Sequence, residues 1–173
     1  MTHLIEITDA NDPRIEAYRD IKERDLVGRQ GLFVAEGKVV VEKLIHSPLH
    51  QPVSLLIAAK RISALQDMIG QLDADTPVYV APQPVFDAIA GFPVHRGILG
   101  IGRRTTTPTS DALLSTLHPK ATVLLLSGIA NHDNMGGIFR NAAAFGVSAV
   151  LLDSDCCDPL YRKAIRVSVA ATL

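Results

Sequence analysis

The chain has 173 residues, of which 47% are hydrophobic and 20% charged, so its composition excludes general disorder and fits a globular protein. The 17 basic and 18 acidic side chains give a formal net charge of -1, so the total charge does not point to a polyanion partner, although a local basic face is compatible with it. Cys156 and Cys157 are adjacent, a spacing that disulfide geometry does not readily bridge, and no run of about 18 apolar residues occurs. We therefore expect a cytoplasmic protein that is neither secreted nor inserted in a membrane.

Helix and strand patterns alternate through the first hundred residues. Asp12 and Pro13 form a helix N-cap and first turn, and they predict a helix that continues to about Leu26. The remaining predicted elements are strands at Leu32–Ala35, Ser54–Ala59, Val78–Ala81 and Gly97–Gly102, and helices at Lys38–Ile45, Ile62–Ile69 and Pro84–Ala90. This alternation indicates an α/β layer domain, which we place at residues 1–104.

A polar, proline-containing segment at Thr105–Ser110 has no periodicity and predicts a linker. Together with a short helix near Asp111–Leu117, it makes residues 105–120 the connection to a second domain at residues 121–173. That domain shows patterns for a strand at 123–129, a helix at 136–145, a strand at 149–153 and a helix at 158–169. The first of these strands is a continuous apolar run, which is typical of a parallel sheet covered on both faces.

The stretch between this strand and the next helix carries the most informative residues of the chain, NHDNMGGIFRNAAAFG from Asn131 to Gly146. The pattern predicts a turn holding Asn134 and Gly136, with Arg140 on the first turns of the helix and Gly146 ending it as the C′ residue. Ligands of such sheets bind beyond the carboxyl ends of the strands. The apolar face of the helix is predicted to consist of Ile138, Phe139, Ala142, Ala143 and Phe145.

The spacing Asn-x-Gly-x-x-x-Arg followed by Gly six residues later resembles the first signature motif of the SpoU/TrmH family of RNA ribose 2′-O-methyltransferases. The segment Asp158–Ser168 resembles the one that follows the next strand in that family, and Asp20–Arg24 with Arg29–Gly37 resemble its accessory RNA-binding domain. The resemblance implies an α/β fold class: an N-terminal ribosomal-protein-type α/β sandwich, then the first part of a SPOUT (α/β knot) methyltransferase domain.

Two later motifs of that family, a Gly-x-Glu-x-x-Gly loop and a final Ser-Leu-Asn helix, do not occur before Leu173. In relatives those segments form the knot and most of the S-adenosylmethionine pocket. We therefore expect that the chain is truncated within its catalytic domain, and no cofactor-binding residue is assigned in it. A smaller departure is Ala170, where the family more often has glycine.

The resemblance also implies an activity, the transfer of a methyl group from S-adenosylmethionine to a ribose 2′-hydroxyl of ribosomal or transfer RNA, by a homodimer. Arg140 is the candidate catalytic residue. A guanidinium with a pKa above about 12 is rarely deprotonated, which favours stabilisation of an oxyanion or a phosphate over the role of general base. Asn134 is predicted to fix the loop and to orient Arg140 or the ribose. A solvated helix arginine and an ordinary Asx turn remain the alternatives.

Basic side chains in both predicted domains are candidates for RNA binding: Arg24, Arg29, Lys38, Arg162, Lys163 and Arg166. The last three recur at spacings that predict one helix side. Acidic residues are interleaved with the N-terminal set, so an ordinary charged surface is the alternative.

Two other functions stay open on the sequence. The chain is alternatively a non-catalytic RNA-binding module that lacks a complete cofactor site, or a Rossmann-type nucleotide enzyme. The latter has only the α/β pattern in its favour, because no Gly-x-Gly-x-x-Gly fingerprint is present. The six histidines show no zinc-ligand spacing, so we expect no metal site.

Overall fold

A five-stranded mixed sheet forms the larger part of the molecule. The computed structural model describes residues 4–19, 26–90, 96–105 and 107–173. The strands are β1 (Leu4–Glu6), β2 (Leu32–Glu36), β3 (His50–Ala58), β4 (Val78–Ala81) and β5 (Ile98–Arg104), in the order β1-β4-β3-β5-β2. Only β5 runs against the others, so β2, β3 and β4 all end at one edge of the sheet, where β5 begins.

Helices cover both faces of this sheet, as the predicted α/β alternation requires. One face packs against α1 (Lys38–Ile45) and α2 (Ile62–Ile69), and the other packs against α3 (Gln83–Ala90) and a 3₁₀ helix at Pro13–Tyr18. Neighbouring residues of one strand serve opposite faces: Leu55 and Ile57 belong to the first core cluster, and Leu56 to the second. The predicted α/β fold is therefore confirmed.

The bounds predicted for α1, α2 and β4 agree with the structure. Strand β1 was not predicted, because three residues are too few to show a periodicity. Strand β3 begins at His50, four residues before its predicted start. The first residues were not predicted as a strand because proline is uncommon within strands, yet the segment around Pro52 pairs with β5 across a register shift.

The helix predicted from Asp12 to Leu26 is different in the structure. Asp12 does cap a helix, and its carboxylate accepts the backbone N–H of Arg14 at 2.9 Å, but the helix is of the 3₁₀ type and ends at Tyr18. A short π-helical turn occupies Leu26–Gln30. The intervening part of the prediction, residues 20–25, lies outside the described residues.

The second sheet consists of two parallel strands, β6 (Val123–Leu126) and β7 (Ala149–Leu152). The helices of this part are α4 (Ser110–Thr116), α5 (His132–Ala144) and α6 (Arg162–Val167). The prediction that β6 is covered on both faces is wrong: Leu124 and Leu126 pack near Met135 of α5, whereas Leu125 is 71% exposed. The apolar run reflects both faces of the strand, and the described helices cover one of them.

The end of the chain packs against the first sheet. Leu160, Ile165 and Ala170 belong to the same buried cluster as Phe33 of β2, and the Ser47 hydroxyl donates to the carbonyl of Leu173 at 2.7 Å. The two sheets are therefore fixed to each other through α6. The division into residues 1–104, 105–120 and 121–173 stays a prediction. Among the described residues, none of the helices has the length and apolar character needed to span a bilayer.

Candidate functional site

The helix that carries the motif begins earlier than predicted. Asn131 is the N-cap of α5, and its side-chain oxygen accepts the backbone N–H groups of Asp133 at 2.8 Å and Asn134 at 3.1 Å. The helix therefore starts at His132, and the prediction that Asn134 and Gly136 lie on a turn is wrong. The side-chain to backbone hydrogen bonds that fix the loop, predicted for Asn134, are made by Asn131.

Asn134 and Arg140 both face solvent on α5. Within the described part of the chain, neither side chain has a hydrogen-bond or ion-pair partner. Six helical residues separate them by about 9 Å along the axis and roughly 120° around it. Arg140 thus lies on the third turn rather than the first turns, and the spacing does not favour direct orientation of Arg140 by Asn134. Both polar groups remain available to a ligand.

Gly136 has a packing role that the sequence left open. A Cβ at this position would lie 2.6 Å from the carbonyl oxygen of Ala164 and 2.8 Å from the Cβ of Val167. A Cβ at Gly137 would meet nothing within 4 Å. Of the two adjacent glycines, Gly136 therefore permits the close approach of α5 and α6, and this contact fixes the orientation of the motif helix.

The predicted apolar face of α5 is partly wrong. The fully buried residue is Met135, which we had not assigned to that face, and Ala142 is buried as expected. Phe145 is 85% exposed. The difference follows from the contact with α6, which covers the side of the helix that carries Gly136.

A carboxylate ties together the ends of the two parallel strands. Asp153, directly after β7, accepts the hydroxyl of Ser127 at 2.5 Å and the backbone N–H of Gly128 at 3.2 Å. The Ser127 hydrogen bond, followed by the one from Gly128, lowers the pKa of Asp153 to about 2. This interaction, which we call the strand-end clamp, holds the loop that leads into α5.

The sequence carries a signal for the strand-end clamp in the placement of two polar residues. Ser127 and Asp153 each follow one of two neighbouring parallel strands, and the carboxyl ends of such strands meet at one edge. Polar residues in those two places are expected to lie close together.

The basic residues predicted on one side of α6 have different neighbours. Arg162 lies 3.6 Å from Glu36 at the end of β2, measured between Nε and the carboxylate oxygen, and Lys163 lies 2.6 Å from the carboxylate of Asp133 on α5. Arg162 and Lys163 are thus already paired with carboxylates, and the assignment of these residues with Arg166 to RNA binding stays a prediction. Only Arg166 of the three is exposed without an ion pair among the described residues.

The N-terminal candidates for RNA binding are described in part. Lys38 is exposed and directly follows Gly37 at the beginning of α1. Arg24 lies outside the described residues, as does the side chain of Arg29.

The cysteines belong to the same part of the fold and are not disulfide-bonded. Cys156 accepts the backbone N–H of Ile129 at 3.4 Å, and burial raises the pKa of the Cys157 thiol. A raised pKa lowers the thiolate fraction and so disfavours a nucleophilic role. Among the described residues, no group of three or more His, Cys, Asp or Glu side chains is arranged to hold a metal ion.

A cavity of about 300 Å³ lies between the two sheets, at the edge where β3 begins and β5 ends. Arg104 lines it and forms an ion pair with Asp158, and His50 lines it with a pKa lowered by burial and by the charge of Arg104. A second cavity of about 340 Å³ adjoins it beside α5. Neither cavity is lined by Asn134 or Arg140.

Comparison with known proteins finds a family match for the second sheet together with α5 and α6. Residues 121–173 match the SpoU rRNA Methylase family. Over 172 residues the chain is 35% identical to an uncharacterized tRNA/rRNA methyltransferase of Mycobacterium bovis, covering 97% of this chain and 58% of that protein. It is 27% identical over 134 residues to the 23S rRNA (guanosine-2′-O-)-methyltransferase RlmB of Bordetella pertussis, covering 76% of this chain and 55% of the relative.

Solved structures share the fold at lower identity. An rRNA methyltransferase from Sinorhizobium meliloti superposes with a TM-score of 0.74 at 21% identity, covering 98% of this chain and 62% of the other. The SpoU methyltransferase AviRb from Streptomyces viridochromogenes, in complex with AdoMet, superposes with a TM-score of 0.72 at 14% identity, covering 92% and 58%. The chain thus spans less than two thirds of the length of these relatives.

Proposed function

From the match of residues 121–173 to the SpoU rRNA Methylase family, we propose that the chain is part of an RNA methyltransferase. The reaction we propose is transfer of a methyl group from S-adenosylmethionine to a ribose 2′-hydroxyl of ribosomal or transfer RNA. The observation that carries the proposal is the pair of exposed side chains of Asn134 and Arg140 on the helix that follows β6, both without a partner in the described part of the chain.

The chemistry assigns Arg140 an electrostatic task. A ribose hydroxyl is a poor nucleophile, so the reaction depends on its placement and on stabilisation of the charge that develops on its oxygen. Arg140 has no carboxylate partner among the described residues, and its full positive charge is available to that oxygen or to a neighbouring phosphate. Asn134 presents an amide that donates and accepts hydrogen bonds, which suits contact with a ribose.

The residues of this chain do not fit an enclosed cofactor by themselves. Asn134 and Arg140 are exposed, the two cavities do not reach them, and the N–H of Gly128 is already bonded to Asp153. When bound, S-adenosylmethionine supplies the electrophilic methyl group. We propose that its site also needs the part of the relatives' length that this chain does not span.

The test is methyl transfer by a protein that carries the complete catalytic domain. Replacing Arg140→Ala is expected to lower turnover of labelled S-adenosylmethionine on ribosomal or transfer RNA by about 10²- to 10³-fold, the range for loss of one stabilising donor. Binding of RNA should change little. The matched control is Arg103→Ala, an exposed arginine at the far edge of the first sheet. Unchanged turnover in the Arg140 variant would show that the catalytic assignment is wrong.

The second candidate is a non-catalytic RNA-binding module, which the exposed position of the motif favours. It predicts that RNA is retained on a filter, with retention falling steeply as salt rises, without uptake of S-adenosylmethionine. Uptake of the cofactor by this chain would exclude it.

We also propose that the protein is cytoplasmic and acts as a homodimer. The reduced adjacent cysteines support the first point, and the exposed side chains of Leu125 and Phe145 support self-association. Sedimentation velocity over a concentration series tests the dimer.

A further inference from the structure

The structure divides the basic side chains into paired and unpaired groups. Among the described residues, four basic side chains have a carboxylate partner: Arg14 with Asp12, Arg104 with Asp158, Arg162 with Glu36, and Lys163 with Asp133. These pairs hold neighbouring segments together, so their charges are already compensated within the fold.

A second group is concentrated at one edge of the five-stranded sheet, where β2 and β3 end and β5 begins. Lys38 follows β2, Lys60 and Arg61 follow β3, and Arg96 precedes β5. Within the described ranges, none of these four side chains has a carboxylate partner. We call this group the cationic rim.

Two glycines bring the arginines of the rim against the backbone. A Cβ at Gly37 would lie 2.7 Å from Cδ of Arg96, and a Cβ at Gly97 would lie 2.9 Å from Cγ of Arg61. Both glycines have positive φ, 89° and 60°. The stems of Arg61 and Arg96 therefore lie over the chain at positions where a side chain would displace them.

Arg61 has an unsatisfied donor. Its Nε is buried and has no hydrogen-bond partner among the residues that the structure describes, although Arg61 as a whole is only partly buried. A buried donor without an acceptor costs roughly 1–3 kcal/mol. A ligand that brings anionic oxygens to the rim would place negative charge close to this donor and beside four cations.

The rim is connected to the motif helix by a short series of contacts. Glu36, immediately before Gly37 and Lys38, pairs with Arg162 on the first turn of α6. The next residue, Lys163, pairs with Asp133, which precedes Asn134 on α5. The rim and the exposed face of Asn134 therefore flank the first turn of α6.

We propose that the cationic rim binds the phosphate backbone of the RNA whose ribose is presented to Asn134 and Arg140. Three of its four residues, Lys60, Arg61 and Arg96, lie outside the set that the sequence pointed to. The inference rests on the proposed function for the identity of the polyanion. A phosphodiester backbone suits the rim because it supplies anionic oxygens at regular spacing to point charges and arginine forks.

The test compares two double variants of the chain that remove the same charges at opposite edges of the sheet. Lys60→Gln with Arg96→Gln removes two exposed cations of the rim. Lys43→Gln with Arg103→Gln removes two exposed cations from the last turn of α1 and from the end of β5. Binding of labelled, sheared ribosomal RNA is measured by filter retention over a salt series, and circular dichroism checks that both variants are folded.

The rim variant is expected to bind RNA more weakly. The slope of the logarithm of its association constant against the logarithm of the salt concentration should be less steep by roughly 1 to 2, because each lost phosphate contact changes this slope by about 1. The control variant should retain the slope of the original chain. An equal loss of RNA affinity in the two variants, or no loss in the rim variant, would overturn the proposal that the rim binds RNA. It would leave the proposed methyltransferase function untouched. Absence of RNA binding by the unmodified chain would overturn the proposal for the rim and the RNA-binding-module alternative, whereas the methyltransferase proposal is decided separately by the turnover assay.

Discussion

Gly136 is held between two helices, and its lack of a side chain has a measurable consequence. The atoms nearest to its missing Cβ are a backbone carbonyl of α6 and the Cβ of Val167, which are not free to rotate away. An added methyl group must therefore displace a helix. Gly137 differs, since its corresponding position is open.

We expect Gly136→Ala to lower the free energy of unfolding by about 1–3 kcal/mol, the usual cost of overpacking. The matched change Gly137→Ala should raise it by up to about 1 kcal/mol, because alanine favours a helix more than glycine does. Urea denaturation followed by circular dichroism measures both. Equal effects at the two positions would contradict the close helix contact.

The residues that end α5 and α6 show where a local sequence signal predicts a helix end and where it does not. Gly146 ends α5 as predicted: its φ is 69°, and the N–H groups of Gly146 and Val147 bond back to Ala143 and Ala142. Val169 and Ala170 also have positive φ, 54° and 65°, after α6. No glycine follows α6 at these positions, so the sequence did not predict where this helix ends. At Ala170, the glycine that the family more often carries fits this backbone without strain.

At the scale of elements, the strand-end clamp fixes the connection between β6 and α5. The Asp153 carboxylate bonds to Ser127 and Gly128 after β6, while its own residue follows β7. The hydrogen bonds require the ionised carboxylate, as the lowered pKa of about 2 indicates. The clamp therefore depends on pH.

We expect the clamp to stabilise the fold fully above about pH 4, the usual pKa of an aspartate, and to lose that contribution as the pH falls towards 2. The sign follows because the folded pKa lies below the unfolded one. Asp153→Asn should lower the thermal midpoint at pH 6, with the difference from the original chain shrinking as the pH approaches 2.

The control for this prediction is Asp155→Asn, a nearby exposed aspartate whose side chain has no hydrogen bond among the described residues. A constant difference between the original chain and the Asp153 variant from pH 6 to pH 2 would exclude the clamp.

Element boundaries were predicted well where local signals were strong. The patterns for α1 and α2 gave their bounds because the apolar residues recur at helical spacing. The beginning of α5 is predicted four residues too late, at residue 136 instead of His132, because the two adjacent glycines favour a turn and Asn131 was not recognised as the N-cap. The structure selects Asn131 because its oxygen reaches two backbone N–H groups.

In the whole molecule, α6 joins the two sheets. Ile165 is 1% exposed and lies in the same cluster as Phe33 and Leu44 of the first sheet and its helix. Two ion pairs, Arg104 with Asp158 and Arg162 with Glu36, cross the same boundary. Loss of packing at Ile165 should therefore lower the stability of the entire chain.

We expect Ile165→Ala to lower the free energy of unfolding by about 2–5 kcal/mol, the range for truncation of a buried isoleucine. The control is Leu125→Ala, at a leucine that is 71% exposed, where the change should stay within about 0.5 kcal/mol. Chemical denaturation followed by far-ultraviolet circular dichroism measures both. Similar losses at the two positions would contradict the packing of α6 on the first sheet.

The sequence by itself determined the α/β class, most element positions and the resemblance of residues 121–173 to a known family, because these depend on periodicity, caps and motif spacing within short segments. Only the tertiary structure decided which face of β6 is covered, why Gly136 lacks a side chain, and which cations are unpaired. Those properties depend on contacts between residues far apart in the chain. Arg162 and Glu36 are separated by more than a hundred positions, and no local pattern in the sequence predicts that they meet.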